Sequence, residues 1–317
     1  MNKINTHVNA KSIDEAVAAL GANAAVVAGG TDLYGSLKGM IYPDPPSTLV
    51  NIKTIPGLSY ITEEGGMLKL GALTKLTDIA ESSVVAAKWS SLAAAARHVG
   101  TLQLRNQGTI GGNICQSVRC WYYRAEHVGF NCLRKGGPLC YMVPGNSERG
   151  SAIFGAAGCF AAFPSDTAIP LMALGATVVT NSRSIAMADF YEGLDNVLDD
   201  NEIVTEIQVP EPASGSKQVY MRWAQRKALD FPEVSVAVVT GSGGTSIVLG
   251  GISPVPVKSS GAEDAVSGGI NESSAAAAGD AAVQGATPLP ASDIHMGNKW
   301  KVQITKTLVK RALLAVA

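Results

Sequence analysis

The sequence predicts an α+β protein of two domains, and three observations lead there. Its 317 residues exceed one ordinary domain. Short buried-strand patterns alternate with helices instead of merging into long runs of either kind. The run Pro210-Glu211-Pro212, followed by Ser214-Gly215-Ser216, is the clearest boundary in the chain. Beyond it, three strand patterns suggest an antiparallel sheet, and helices follow.

Taken in order, Ser12-Ile13-Asp14-Glu15 reads as a helix start, with Ser12 as N-cap, Glu15 as its capping-box partner and apolar spacing through Leu20. Ala24 to Ala28 is a buried-strand pattern ending at Gly29-Gly30-Thr31-Asp32, and Leu33 to Met40 is helical in character. Leu49 to Ile52 is a further strand, and Met67 to Ala72 is one arm of a β-meander. Thr77 to Val85 and Ser90 to Val99 read as helices. Further on, Thr167 to Leu174 reads as a helix, and Ala176 to Thr180 and Glu202 to Val209 as strands. In the C-terminal part, Gln218 to Trp223, Val234 to Thr240 and Ser246 to Gly251 are strands. Residues 261 to 291 resemble low-complexity sequence but accommodate a helix from Glu272 to Gln284, which can pack beside a regular one from Lys301 to Leu314.

Composition bounds the function. A hydrophobic content of 46% supplies proper cores, while a net charge of −1 without basic blocks argues against a nucleic-acid surface. No signal-peptide core occupies the first twenty residues, and no stretch approaches the roughly 18 apolar residues of a membrane helix. The expected setting is cytoplasmic, with small molecules and other proteins as partners. Thiols stay reduced there, so five cysteines, an odd number, suit metal ligation better than disulfides.

Two segments carry chemistry. Ala28-Gly29-Gly30-Thr31-Asp32-Leu33 and Arg105-Asn106-Gln107-Gly108-Thr109-Ile110-Gly111-Gly112-Asn113 are glycine turns whose backbone N–H groups can approach a pyrophosphate. Neither matches the Rossmann fingerprint or the phosphate loop ending in Gly-Lys-Ser/Thr, so a nucleotide cofactor held by another fold is implied. Arg105 can reach the same phosphates. Asp166 can bind a ribose or ribityl hydroxyl or, equally, cap the helix after it. All five cysteines, Cys115, Cys120, Cys132, Cys140 and Cys159, fall in one window, with Arg119, Arg124, Arg134 and Lys135 as neighbours suited to an anionic thiolate cluster. Their spacing is neither that of paired zinc ligands nor a ferredoxin run, so it shows a thiolate cluster without naming its metal. The four histidines, His7, His98, His127 and His295, are scattered and form no ligand set.

These residues resemble the flavin (medium) subunits of the molybdenum hydroxylases, the xanthine dehydrogenase and carbon monoxide dehydrogenase group. The resemblance rests on Val27 to Leu33, on Ile55-Pro56-Gly57-Leu58 as the adenine-side segment, and on Arg105 to Asn113 continuing to Pro164, Asp166 and Pro170. Arg226-Lys227-Ala228-Leu229-Asp230 and Asn298-Lys299-Trp300-Lys301 extend it to the C-terminal part. It implies the FAD-binding fold of the vanillyl-alcohol oxidase and para-cresol methylhydroxylase (PCMH) type over residues 1–212, in subdomains of about 1–57 and 58–212. A C-terminal α+β domain of the carbon monoxide dehydrogenase flavoprotein type would occupy 215–317. It also implies FAD on Ala28, Gly29, Gly30, Thr31, Asp32, Leu33, Arg105, Thr109, Gly111, Gly112, Asn113 and Asp166.

The insert at about 119–151 is similar to that of the β subunit of 4-hydroxybenzoyl-CoA reductase. That likeness implies a 4Fe-4S cluster on Cys120, Cys132, Cys140 and Cys159, with Cys115 the rival to Cys159. The implied function is electron relay with no catalytic residue of its own. The implied partners are a large molybdopterin subunit and a small subunit with two 2Fe-2S clusters, as a dimer of heterotrimers served by ferredoxin or a nicotinamide. Competing expectations are a flavin subunit of a xanthine, aldehyde or N-heterocycle dehydrogenase, a stand-alone flavin oxidase, and a zinc-stabilised nucleotide-binding module.

Overall fold

A computed structural model describes residues 3–21, 23–145, 151–227, 229–291 and 296–317. Ala228, His295 and part of the cysteine-bearing insert therefore lie outside the described residues.

The first layer comprises β1 (Thr6–Asn9), α1 (Ile13–Ala19), β2 (Ala24–Val27), α2 (Leu33–Gly39) and β3 (Thr48–Asn51). Strand β3 lies between β1 and β2 and pairs with both in parallel, Val50 opposite Val8 and Val26. Ser12 caps α1 by accepting the Glu15 N–H at 3.1 Å. The Glu15 carboxylate reaches past Ser12 to the Lys11 N–H, 2.7 Å away, so the expected capping box is displaced by one residue.

The second layer begins with β4 (Ile61–Glu64), β5 (Met67–Gly71), α3 (Leu76–Glu81), α4 (Ser83–Lys88), α5 (Ser90–His98), α6 (Leu102–Arg105) and α7 (Ile110–Ile114). The single helix expected over 77–85 is two helices. Ser82 is extended, at φ −65° and ψ 121°, and its hydroxyl accepts the Val85 N–H at 3.3 Å, so an N-cap residue restarts the helix. After the cysteine-bearing segment and α8 (Met142–Gly145) come β6 (Ser151–Ala156), β7 (Cys159–Ala161), α9 (Ala168–Ala173), β8 (Thr177–Thr180), β9 (Ser184–Ala186), β10 (Tyr191–Glu192), β11 (Asp195–Asn196) and β12 (Val204–Pro210). An antiparallel sheet in the order β4-β5-β12-β8-β9 backs this layer. Ile207 and Val209 alternate along β12 into the core, where Trp89 is fully buried and donates its indole N–H to the Pro210 carbonyl at 2.8 Å.

The third layer is β13 (Gln218–Trp223), β14 (Val234–Gly241), β15 (Gly244–Gly250) and β16 (Val257–Lys258), an antiparallel sheet in chain order. With it go α10 (Ser260–Ala265), α11 (Glu272–Ala281) and α12 (Trp300–Ala315). The alanine-rich stretch is thus helical, though α11 stops at Ala281, short of Gln284. Asn271 caps α11 with a full capping box, and Ala275 and Ala278 are fully buried. A Cβ on Gly279 would stand 2.7 Å from the Lys306 carbonyl oxygen, so this glycine lets α11 and α12 approach. Tyr220, Ala237 and Val248 of this sheet are buried in the core of the second layer. Among the described residues no helix is long and apolar enough to cross a membrane.

Candidate functional site: a glycine-turn cleft backed by a cysteine cage

A cleft of about 500 Å³ opens between the first and second layers. Its walls include Ala28 to Leu33 from the first glycine turn and Thr109, Gly111, Gly112 and Asn113 from the second. The turns touch: a Cβ on Gly29 would stand 2.1 Å from the Gln107 carbonyl oxygen. Gly30 sits at φ +72°, in the left-handed region, so glycine is required there for conformation as well as space. None of the hydrogen bonds among the described residues uses the N–H of Gly30, Thr31 or Asp32, which leaves those donors at the cleft wall for an anion. The second turn departs from expectation, because its N–H groups are spent inside the protein: Gly108, Gly111 and Asn113 donate to the carbonyls of Leu104, Ala72 and Thr109, at 2.7, 3.0 and 2.8 Å, and Gly112 donates to the Thr109 hydroxyl that caps α7, at 3.2 Å.

Two expected contacts lie elsewhere. Arg105 is not on the cleft wall; its guanidinium donates to the carbonyls of Val99 and Gly100, at 3.0 and 3.2 Å, and braces a rim that does line the cleft. Asp166 is 3% exposed and likewise outside the cleft. It accepts a hydrogen bond from the Tyr220 hydroxyl and pairs with Arg222 at 3.3 Å, a side-chain lock between the second and third layers. Burial raises its pKa, opposed by Arg222 and Tyr220. The neighbours of Asp166 do reach the second turn: Ser165 and Thr167 each donate to Asn113 Oδ1 at 2.6 Å. Of the segment expected on the adenine side, Ile55 and Leu58 pack in the first layer's core, and nearby Ile52 lines the cleft instead.

Sequence reasoning missed a third wall, made by Leu198, Glu202, Ile203 and Val204. The Arg183 guanidinium, with Thr180, Ser182 and the Asp199 N–H, holds the Glu202 carboxyl down at about 2. No local motif announces this wall, because the loop is assembled by pairing with Arg183, nineteen residues away.

Four of the five cysteines meet behind the cleft. Cys120, Cys132, Cys140 and Cys159 surround one small pocket, about 10 Å³, with Tyr122, Tyr123, Arg134 and Met142. Cys132 opens a tight loop in which its carbonyl accepts the N–H groups of Lys135 and Gly137, at 2.8 and 3.0 Å. A Cβ on Gly137 would stand 1.8 Å from the Asn131 oxygen, so that loop requires glycine. Cys140 precedes α8, and Cys159 lies on β7. Cys115 is absent from this pocket and lines the cleft between the glycine turns, where burial pushes its thiol up to about 12. Burial likewise takes Cys120 up to about 11. In the close pair the Cys140 thiol donates to Cys159, whose pKa falls through that hydrogen bond and the nearby Arg134 guanidinium.

The four basic neighbours divide between two sites. Arg134 Nε and Nη2 and Lys135 Nζ are buried without a hydrogen-bond partner near the thiols, while Arg134 Nη1 pairs with Asp195 at 3.5 Å. Arg119 and Arg124 instead face the cleft and grip Asp32, both at 2.7 Å from Oδ1. Among the described residues no three Cys, His, Asp or Glu side chains stand close enough to hold one metal ion.

Two glycine turns closing on one cleft, the first with N–H groups left without a partner among the described residues, define the class: a protein built to hold a nucleotide cofactor. A family model described as the FAD binding domain in molybdopterin dehydrogenase matches residues 3–212. The chain is 32% identical over 244 residues to the aldehyde oxidoreductase FAD-binding subunit PaoB of Escherichia coli, covering 73% of this chain and 75% of that one. It is 30% identical to the carbon monoxide dehydrogenase medium chain of Hydrogenophaga pseudoflava, over 96% of this chain and 94% of the other. A solved carbon monoxide dehydrogenase structure from the same organism superposes with a TM-score of 0.76 at 28% identity, over 99% and 97% of the two chains. The chain therefore belongs to the family of FAD-binding subunits of molybdopterin dehydrogenases, and it is the flavoprotein component of an oxidoreductase.

Proposed function

We propose that this chain carries both FAD and a 4Fe-4S cluster and relays electrons between an external carrier and a molybdenum-containing partner. The observation that carries the cluster is the convergence of four cysteines on one pocket beside buried, unpartnered Arg134 and Lys135 nitrogens. Buried N–H donors left without an acceptor are costly; Arg134 Nη1 reaches Asp195 at 3.5 Å, and an anionic thiolate-ligated cluster would supply acceptors for the remaining nitrogens. The donors fit in kind; seating a cluster requires the Cys140–Cys159 hydrogen bond to open. FAD supplies two-electron chemistry and the cluster one-electron chemistry, while this chain's residues bind, orient and exclude water. Such a cage suits a compartment that keeps thiols reduced, as the cytoplasm does.

The relatives are named as subunits or medium chains, which supports assembly with other subunits. We assign those as a large molybdopterin chain and a small chain with two 2Fe-2S clusters, in a dimer of heterotrimers, with ferredoxin or a nicotinamide as carrier. The partner's substrate is an aldehyde or an aromatic acyl-CoA thioester, as in a 4-hydroxybenzoyl-CoA reductase; the first is favoured by the likeness to an aldehyde oxidoreductase subunit.

The test is an anaerobic assay of iron, acid-labile sulfide and flavin on the purified chain. The expected result is about four irons and four sulfides per FAD, with the iron lost in Cys140→Ser. Flavin without iron removes the cluster from this reading, and zinc in the cage replaces it.

A further inference from the structure

The segment 115–124 is shared by the two sites. Cys115, Gln116, Ser117 and Arg119 line the cleft, yet Cys120, the next residue, lines the cage. Arg124 returns to the cleft, and its backbone N–H donates to the Cys120 carbonyl at 2.9 Å. One turn of chain thus presents a thiol on one side and two guanidinium groups on the other.

Both guanidinium groups end on Asp32, in the first glycine turn. Oδ1 takes Arg119 and Arg124, each at 2.7 Å, and Oδ2 accepts the Ser117 N–H at 3.1 Å. Arg124 also donates to Ser36 Oγ at 2.7 Å and to the carbonyls of Val118 and Ser117, and Arg119 to the Ser117 carbonyl and Gln116 Oε1. The arginines therefore have no spare freedom: moving the Cys120 turn moves them, and moving them releases Asp32. Two cations against one carboxylate also leave a net positive charge where a diphosphate binds, in a part-buried site where screening is weak. Coupling of this kind needs a physical element that both sites bias, and the clamp is one.

We propose that the Arg119–Asp32–Arg124 clamp couples the cysteine cage to the flavin cleft, so that a filled cage tightens FAD binding and bound FAD protects the cage. The effect is reciprocal by linkage. Arg119, Arg124 and Asp32 act as positioning residues. The inference rests on the cluster reading above, and the experiment separates the two.

FAD is titrated by flavin fluorescence into the flavin-stripped full chain as wild type, Cys132→Ser, Asp32→Asn and the double variant, each assayed for iron. Cys132→Ser weakens FAD binding about tenfold, within the usual range of coupling between sites. In the Asp32→Asn background the same substitution changes it by less than about twofold, because the connection is already cut. Wild-type chain stripped of iron by a chelator repeats the Cys132→Ser measurement without a mutation, guarding against misfolding. Iron present with equal FAD affinity in both forms, or a tenfold loss that persists without Asp32, overturns the clamp alone. Absence of iron from the wild-type chain overturns the cage reading and the clamp with it.

Discussion

The glycine-turn cleft and the cysteine cage lie back to back across residues 115–124 but are built from opposite materials. The cleft's glycine end is backbone: two turns pressed together, the N–H groups of Gly30, Thr31 and Asp32 in the first left without a partner among the described residues and those of the second spent on internal hydrogen bonds. The cage is side chains: thiols from four separate segments, with two cations beside them. A backbone site is specified by what its residues lack, and any added atom damages it. A side-chain site is specified by what its residues carry, and each donor can be deleted with the scaffold left standing.

The largest break is expected at Gly29→Ala, whose Cβ would stand 2.1 Å from the Gln107 oxygen. The turns must part, with a cost of about 3 kcal/mol or more and loss of bound flavin. Thermal melts with flavin content check this; near-wild-type flavin loading would mean that the contact between the turns is dispensable. Asp166→Asn sharpens the boundary of the cleft. It leaves Arg222 buried opposite an uncharged amide and costs about 3 kcal/mol in denaturant melts. FAD affinity stays within about twofold, because Asp166 lies outside the cleft; a large affinity loss would return this residue to the flavin site.

Glu202 tests the third wall. Its folded pKa, about 2, lies below the ordinary value. Its contribution is therefore present above about pH 4.3 and fades as pH falls toward the folded pKa. Glu202→Gln destabilises the chain by about 1–2 kcal/mol at neutral pH, the half-exposed Arg183 partner limiting the loss. The variant also flattens this part of the acid limb, and urea melts at neutral and acidic pH compare the two proteins. The smallest effect is expected from Cys115→Ala, about 1 kcal/mol in stability with iron content unchanged. Loss of iron there would put Cys115 in the cage and Cys159 outside it.

What was legible in the sequence follows the same division. Helix α1 with Ser12, strand β2 into Gly29-Gly30, strand β12 and the long helix α12 were readable because caps, turns and periodicity involve partners a few residues apart. The two glycine turns and the gathering of five cysteines were readable for the same reason. The break at Ser82 carried a local signal, an N-cap serine inside an apolar run, that periodicity alone overrode.

Tertiary structure decided what depends on contacts between distant segments. It sent Arg119 and Arg124 to Asp32 and left Arg134 and Lys135 beside the thiols, although the four look alike along the chain. It turned Asp166 toward Arg222 and gave Asn113 to Ser165 and Thr167. It also placed Cys159 in the pocket and Cys115 in the cleft. The physical reason is that backbone preferences act over one turn, whereas the partner of a buried charge or thiol is whichever group the packed layers bring within about 3 Å.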